Sequence, residues 1–148
     1  MKYTNTIEIR NTADKVFYWL EDPSRAVAWM TSVSKTEIVD ETPNMVGTTF
    51  RETVEENGRG TEMKGVVTGF VSNKHLAFHL EGEFNSVDVD YTLQEEGRIT
   101  HLTQTADVRF KGLLRLLSVF LGPILKKKIE EQARGEFDKL KKLCEQHR

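Results

Sequence analysis

The chain has 148 residues, 38% of them apolar and 30% charged, and a formal net charge of −2. That size suits one domain spanning 1–148 with a substantial core, and that charge gives no overall attraction to nucleic acid or anionic lipid. A single cysteine, Cys144, excludes an internal disulfide and fits a reducing cytoplasm, and the N-terminal "MKYTNTIEIR" has no apolar h-region, so no signal peptide is expected.

"TNTIEIR" alternates, with Ile7 and Ile9 on one face, and reads as a first strand. "NTADKVFYWLED" then takes helical spacing through Val16, Trp19 and Leu20, with Asn11 or Thr12 as the cap and Asp14 in the first turn. Pro23 restarts a second short helix, "PSRAVAWM". From Ser32 to Phe110 the pattern is strand after strand: "SVSKTEIVDE", "TTFRETVEE", "RGTEMKGVVTGFV", "LAFHLEG", "SVDVDYTLQ" and "ITHLTQTADVRF".

Three two-residue turns set the registers. Asn57-Gly58, the strongest hairpin signal, places Glu52 opposite Met63 and Phe50 opposite Gly65. Asn73-Lys74 places Val67 opposite Leu80 and Gly69 opposite Phe78. Glu96-Gly97 places Tyr91 opposite Leu102 and Val89 opposite Gln104. Opposed residues share a face. One face then collects Phe50, Val54, Met63, Val67, Phe78, Leu80, Val89, Tyr91 and Leu93, and the other Arg51, Glu62, Lys64, His79, Asp88 and His101. A one-residue slip in any hairpin would mix the two sets, so the pattern predicts a single antiparallel sheet, wet on one side.

The C-terminal segment carries two apolar stripes. From Pro123 onward, Leu125, Ile129, Ala133, Phe137, Leu140 and Cys144 recur at helical spacing. Before it, Leu113, Leu117, Phe120, Leu121 and Ile124 centre about half a turn away. A straight helix would point one stripe at water, so a break or strong kink at Gly122-Pro123 is expected, with the early leucines closing one end of a cavity. The alternative leaves Leu113, Leu117 and Phe120 exposed, for a homodimer or a membrane surface. "GLLRLLSVFLGPIL" is 14 residues, too short for a transmembrane segment of about 20.

The order strand, two short helices, six strands and long helix, with "GTTFRE", "VVTGFVSNKHLAF" and "VDVDYTL", resembles the START-like, or SRPBCC, superfamily. That superfamily includes the polyketide cyclase/dehydrase and lipid-transport family and the birch-pollen allergen family. The resemblance covers nearly the whole chain. It implies an α+β helix-grip fold, a curved seven-stranded antiparallel sheet wrapped on the long helix, often enclosing a cavity for an apolar small molecule. It carries no shared catalytic motif and implies no cofactor.

Glu52 is the candidate of most interest, because its register sets a carboxylate between Phe50 and Val54 on the apolar face. Burial there raises its pKa. It can orient a ligand hydroxyl, serve as the acid or base of a cyclisation or dehydration, or simply reach water at the strand end. Tyr91 and Gln104 also point inward, as polar contacts for a ligand or as partners of each other. With Phe50, Met63, Val67, Phe78, Leu80 and Val89 from the sheet, and Ile129, Ala133 and Phe137 from the helix, they form the expected ligand-binding wall. Glu136 belongs at its rim. Gly65 and Gly69, on the inner face, let the sheet curl. Tyr18, Trp19, Trp29 and Met30 on the short helices gate a cavity mouth or plug the core. The histidines, His75, His79, His101 and His147, lack ligand spacing, so no metal is expected; His79 faces Asp88 on the wet side. The expected function is binding of a small hydrophobic molecule (lipid, isoprenoid, polyketide or aromatic), with a cyclase/dehydratase using Glu52 and a filled-core protein-interaction module as alternatives.

Overall fold

A computed structural model describes residues 1–56 and 58–146; Asn57, of the first predicted turn, and His147 lie outside the described residues. The elements are β1 (Lys2–Ile9), α1 (Ala13–Glu21), α2 (Pro23–Ala26), β2 (Val33–Asp40), β3 (Thr49–Glu56), β4 (Arg59–Val71), β5 (His75–Glu81), β6 (Asn85–Glu96), β7 (Ile99–Phe110) and α3 (Gly112–Gln146). The strands form one seven-stranded antiparallel sheet in the order β1-β7-β6-β5-β4-β3-β2. The C-terminal half of α3 lies on its apolar face, where Ala133, Phe137, Leu140 and Cys144 join the core. This is the helix-grip architecture.

The short helices follow their capping chemistry. Thr12 is the N-cap of α1, although its hydroxyl donates to Asp14 Oδ1 instead of capping the backbone. Asn11 is used elsewhere: its Nδ2 donates to the Cys144 carbonyl at 2.8 Å and anchors the end of α3. Asp22 caps α2 by accepting from the Ser24 N–H at 2.9 Å, with Pro23 in the first turn. Helix α2 stops at Ala26, earlier than the expected Met30. The turns that follow, Ala28 N–H to Arg25 O and Trp29 N–H to Ala26 O, deliver the Trp29 ring into the core, where it is 2% exposed.

The first register is as expected, with Glu52 opposite Met63 and Phe50 opposite Gly65. The other two differ by two residues each. Between β4 and β5 the loop has three residues, 72–74, with Asn73 at φ 63°, and a β-bulge between Val67 and Gly69 adds a second offset. Val67 therefore faces Phe78, and Gly65 faces Leu80. Between β6 and β7 the turn is 97–98, with Gly97 at φ 64°, so Tyr91 faces Gln104 and Val89 faces Ala106. An offset of two preserves parity, which is why the inner and outer sets survive. Gly69 is the exception. The bulge turns it outward beside Ala77, where an added Cβ would lie 2.8 Å from the His75 ring, and turns Phe70 inward onto Phe17, with ring centroids 5.4 Å apart.

Gly65 does face inward, and it is needed there. A Cβ at this position would lie 2.3 Å from Phe50 Cζ, and the Phe50 ring is itself held edge-on against Phe78 at 5.8 Å. Gly65→Ala is expected to cost about 1–3 kcal/mol in urea unfolding through overpacking. Gly60→Ala in the same strand meets only Thr53 Cγ2 at 3.6 Å and should stay within about 0.5 kcal/mol of wild type. Equal losses would place the cost in the strand backbone and not in the Phe50 contact.

The expected break in α3 is absent. One helix of 35 residues runs through Pro123. The carbonyl that proline leaves without a donor is that of Val119, on a turn where the side chain is 75% exposed and water has access. Because the helix continues, its two stripes stay half a turn apart. Leu113, Leu116, Phe120 and Ile124, at 73%, 60%, 77% and 61% exposure, face solvent, and Leu117 is 43% exposed. Leu113, Leu117 and Phe120 therefore close no cavity. The inward side of this half carries Ser118, Gly122 and Leu125, all part-buried. No helix among the described residues is long and apolar enough to cross a membrane. Gly135 faces open space, and nothing in the structure explains it.

Candidate functional site

The inner face of the sheet and the buried end of α3 meet in a cluster of rings. Tyr91 lies at its centre, 6.0 Å from Phe78, 6.3 Å from Phe137 and 6.4 Å from Trp29 between centroids. Trp29 and Phe137 are 6.3 Å apart. The Trp29–Tyr91 pair is edge-on and the other three are tilted, at centroid separations favourable for aromatic pairs. They leave little room: the cavity beside them has a volume of about 30 Å³, the space of one water molecule.

Glu52 lies on the wall of this cavity with Phe50, Val67, Phe78 and Tyr91, all named from the sequence. Of the opposite wall, only Trp29 and Met30 were anticipated, as a gate or plug. It comes from Leu20, Ala26, Trp29 and Met30 around the short helices, and from Met45 and Thr48 before β3. Leu76 completes it. Met45 adopts φ 67°, a conformation no sequence pattern here announces. The remaining expected wall residues lie elsewhere in the interior. Met63, Leu80, Val89, Ala133 and Phe137 are buried in the core without lining the cavity, and Ile129 is half-buried on α3.

Glu52 is 5% exposed. Among the described residues its carboxylate has neither a hydrogen-bond donor nor a cation beside it. Burial, followed by the nearby charge of Glu136, pushes its pKa up to about 7. Glu136, expected at the rim, does not line the cavity; its Oε2 accepts from the Thr31 N–H at 2.8 Å and the Thr31 hydroxyl at 3.1 Å. It thereby ties α3 to the segment that follows Trp29.

A second polar group lies on the same inner face, between β6 and β7. Gln104 Nε2 donates to Tyr91 Oη at a long 3.4 Å, the mutual pairing expected of these two residues. Gln104 Oε1 is buried without a partner, and so is Asn5 Nδ2, from the residue directly opposite Gln104 across the β1–β7 pair. Asn5 was legible in principle, because it shares parity with Ile7 and Ile9. Burial holds the phenols of Tyr91 and Tyr3 protonated, that of Tyr3 up to about 12.

The aromatics of α1 and the segment after α2 divide. Trp29 is core, its Nε1 donating to the Trp19 carbonyl at 3.1 Å, whereas Tyr18 is half-exposed under the Arg25 guanidinium at 3.7 Å. On the wet face His79 pairs with Asp88 at 2.6 Å and Glu81 at 2.9 Å, and these two bonds raise its pKa. Cys144 is a buried thiol, its pKa pushed up to about 12 by burial.

The family model described as polyketide cyclase/dehydrase and lipid transport matches residues 1–145. No curated protein matches the chain by sequence. Among solved structures it is similar to TTHA0849 of Thermus thermophilus (TM-score 0.81, 14% identity, 97% of each chain covered). It is similar to the ZhuI aromatase/cyclase of Streptomyces sp. R1128 (TM-score 0.80, 13% identity, 99% of this chain and 94% of that one). A START superfamily protein of Mycobacterium smegmatis also matches (TM-score 0.67, 17% identity, 88% and 95% covered). At these identities the likenesses speak for the fold, and they agree with the strand order, the paired short helices and the gripping helix described above. The match along nearly all of its length establishes that the chain belongs to the polyketide cyclase/dehydrase and lipid-transport family.

Proposed function

We propose that the protein binds a small, largely apolar molecule carrying one polar group, seated against Glu52 and Tyr91 behind the Trp29–Met30 segment. The observation that carries this reading is the Glu52 carboxylate itself: buried on an apolar wall, beside a cavity, with no partner from the described residues. Such a group costs stability, and a ligand hydroxyl would offset that cost by donating to it.

The volume sets a condition. Small-molecule pockets run from about 300 Å³ upward, roughly tenfold more than the space present. Binding therefore requires the wall to open. The side that can yield is Met30, Met45 and Leu20, since methionine repacks easily, whereas the sheet side is held by cross-strand pairing.

Trp29 reports on this site. Titration with a matched pair of apolar molecules, one with a hydroxyl and one without, should shift tryptophan emission, with the hydroxylated ligand at least about tenfold tighter. Glu52→Leu should erase that preference while retaining the hydrocarbon contribution. If native mass spectrometry of protein from its own host shows only the bare chain, and a lipid and aromatic library gives no uptake, the reading is wrong.

A second reading, an acid/base catalyst of cyclisation or dehydration, is favoured by one observation: a carboxyl with a pKa of about 7 is half protonated at neutral pH. It differs from the carrier reading in turnover. Glu52→Gln would abolish product formation from a polyketide substrate while leaving its binding within a few-fold.

A further inference from the structure

We propose that the N-terminal half of α3 is a docking element for an anionic membrane surface, lying flat at the interface. This does not depend on the ligand-binding reading. The outward stripe of Leu113, Leu116, Phe120 and Ile124 recurs at three- and four-residue spacing, and every member is at least 60% exposed. Leu117 and Val119 flank it, at 43% and 75% exposure. Phe84, 47% exposed, adjoins the start of the helix, where its carbonyl accepts from the Lys111 N–H at 2.8 Å. Scattered exposed apolar side chains are ordinary, but a contiguous helical stripe is not.

Charge identifies the occupant. Between Asp107 and Glu130 the sequence has no acid, while Lys111, Arg115, Lys126, Lys127 and Lys128 all fall there, in a chain whose net charge is −2. Lys111 is held by Glu81, and Lys126 lies 3.9 Å from Glu130. Among the described residues Arg115, Lys127 and Lys128 have no acidic partner; Arg115 projects to the far side of the helix from the stripe, so Lys127 and Lys128 are the cations beside it. Lys127 continues the line of the apolar stripe at helical spacing. Apolar side chains beside unpaired cations are what an interfacial helix presents to lipid headgroups and the acyl boundary.

A second copy of the chain fits less well. The stripe spans 12 residues from Leu113 to Ile124, about 18 Å along the helix, and ends beside the three lysines 126–128. Pairing two such stripes would bring cations together with no acid in the segment to meet them. Among the described residues no helix is long and apolar enough to span a membrane.

The test is co-sedimentation of the full chain with vesicles of phosphatidylcholine alone and of phosphatidylcholine mixed with phosphatidylglycerol. Sedimentation should be strong only with the mixed vesicles and should weaken as salt is raised. Leu116→Glu with Phe120→Glu should weaken it at least about tenfold, and each of Lys127→Glu and Lys128→Glu by roughly fivefold. All four side chains are exposed, so circular dichroism and thermal midpoint should stay unchanged. A Phe120→Trp variant should show an emission blue shift with mixed vesicles and none with phosphatidylcholine alone. Absence of sedimentation with the mixed vesicles would overturn the proposal. So would a dimer in light scattering that the Leu116 and Phe120 substitutions dissociate, because the stripe would then belong to a second copy.

Discussion

Trp29→Ala is expected to lower stability by about 3–5 kcal/mol in urea unfolding, among the largest single losses available to this fold. Three contributions add. The indole is 2% exposed and packs on Tyr91 and Phe137, so its removal forfeits apolar burial and leaves a void between a ring of β6 and a ring of α3. Its Nε1 donor to the Trp19 carbonyl is lost, leaving that acceptor dependent on water. The short segment after α2 also loses the side chain that anchors it. The same substitution turns a cavity of about 30 Å³ into one that can take a ring. Added indole should therefore raise the thermal midpoint of the variant and leave wild type unmoved, by the linkage of binding to stability. A loss below about 1 kcal/mol would mean that the neighbours collapse into the void. The wall behind Glu52 would then be soft without any ligand to open it.

The sheet was readable because its errors came in pairs. Period-two alternation assigns each residue to a face, and the face survives any register offset of two. A three-residue loop plus a bulge, or a turn displaced by one residue along both strands, changes partners without changing sides. Gly69 lies beyond the bulge, where only one of the two offsets applies, and there the assignment inverted. Helix α3 shows a different limit. Its two stripes were visible, and so was the fact that a straight helix could not bury both. The choice between breaking the helix and exposing a stripe depends on whether the carbonyl freed by Pro123 meets water, which is a property of the packed structure. The cavity was half legible for a related reason. Its sheet wall, Phe50, Glu52, Val67, Phe78 and Tyr91, follows from parity, whereas Met45 and Thr48 arrive through a loop with no period at all.

Glu52→Gln is expected to stabilise the protein above neutral pH by about 2–3 kcal/mol and to have little effect in acid. The carboxyl has a folded pKa of about 7 against an ordinary 4.5, so it holds its proton more tightly when folded. Between those values the folded state carries more bound proton than the unfolded one. Stability therefore falls as pH rises through that window and levels off above it. The full difference corresponds to about 3 kcal/mol, less whatever the buried amide of glutamine costs for its own unmet donors. Urea unfolding of both proteins at pH 4 to 5 and at pH 8 isolates this group, since other titrating side chains, His79 among them, contribute equally to each. Parallel curves with no crossover would mean that the carboxylate is solvated in the folded state, and the argument for a ligand beside it would fall with that result. Curves that separate between about pH 4.5 and 7, stay apart above that window, and close again when a hydroxylated apolar ligand is added at pH 8 would tie the cost of burying Glu52 to the molecule that offsets it.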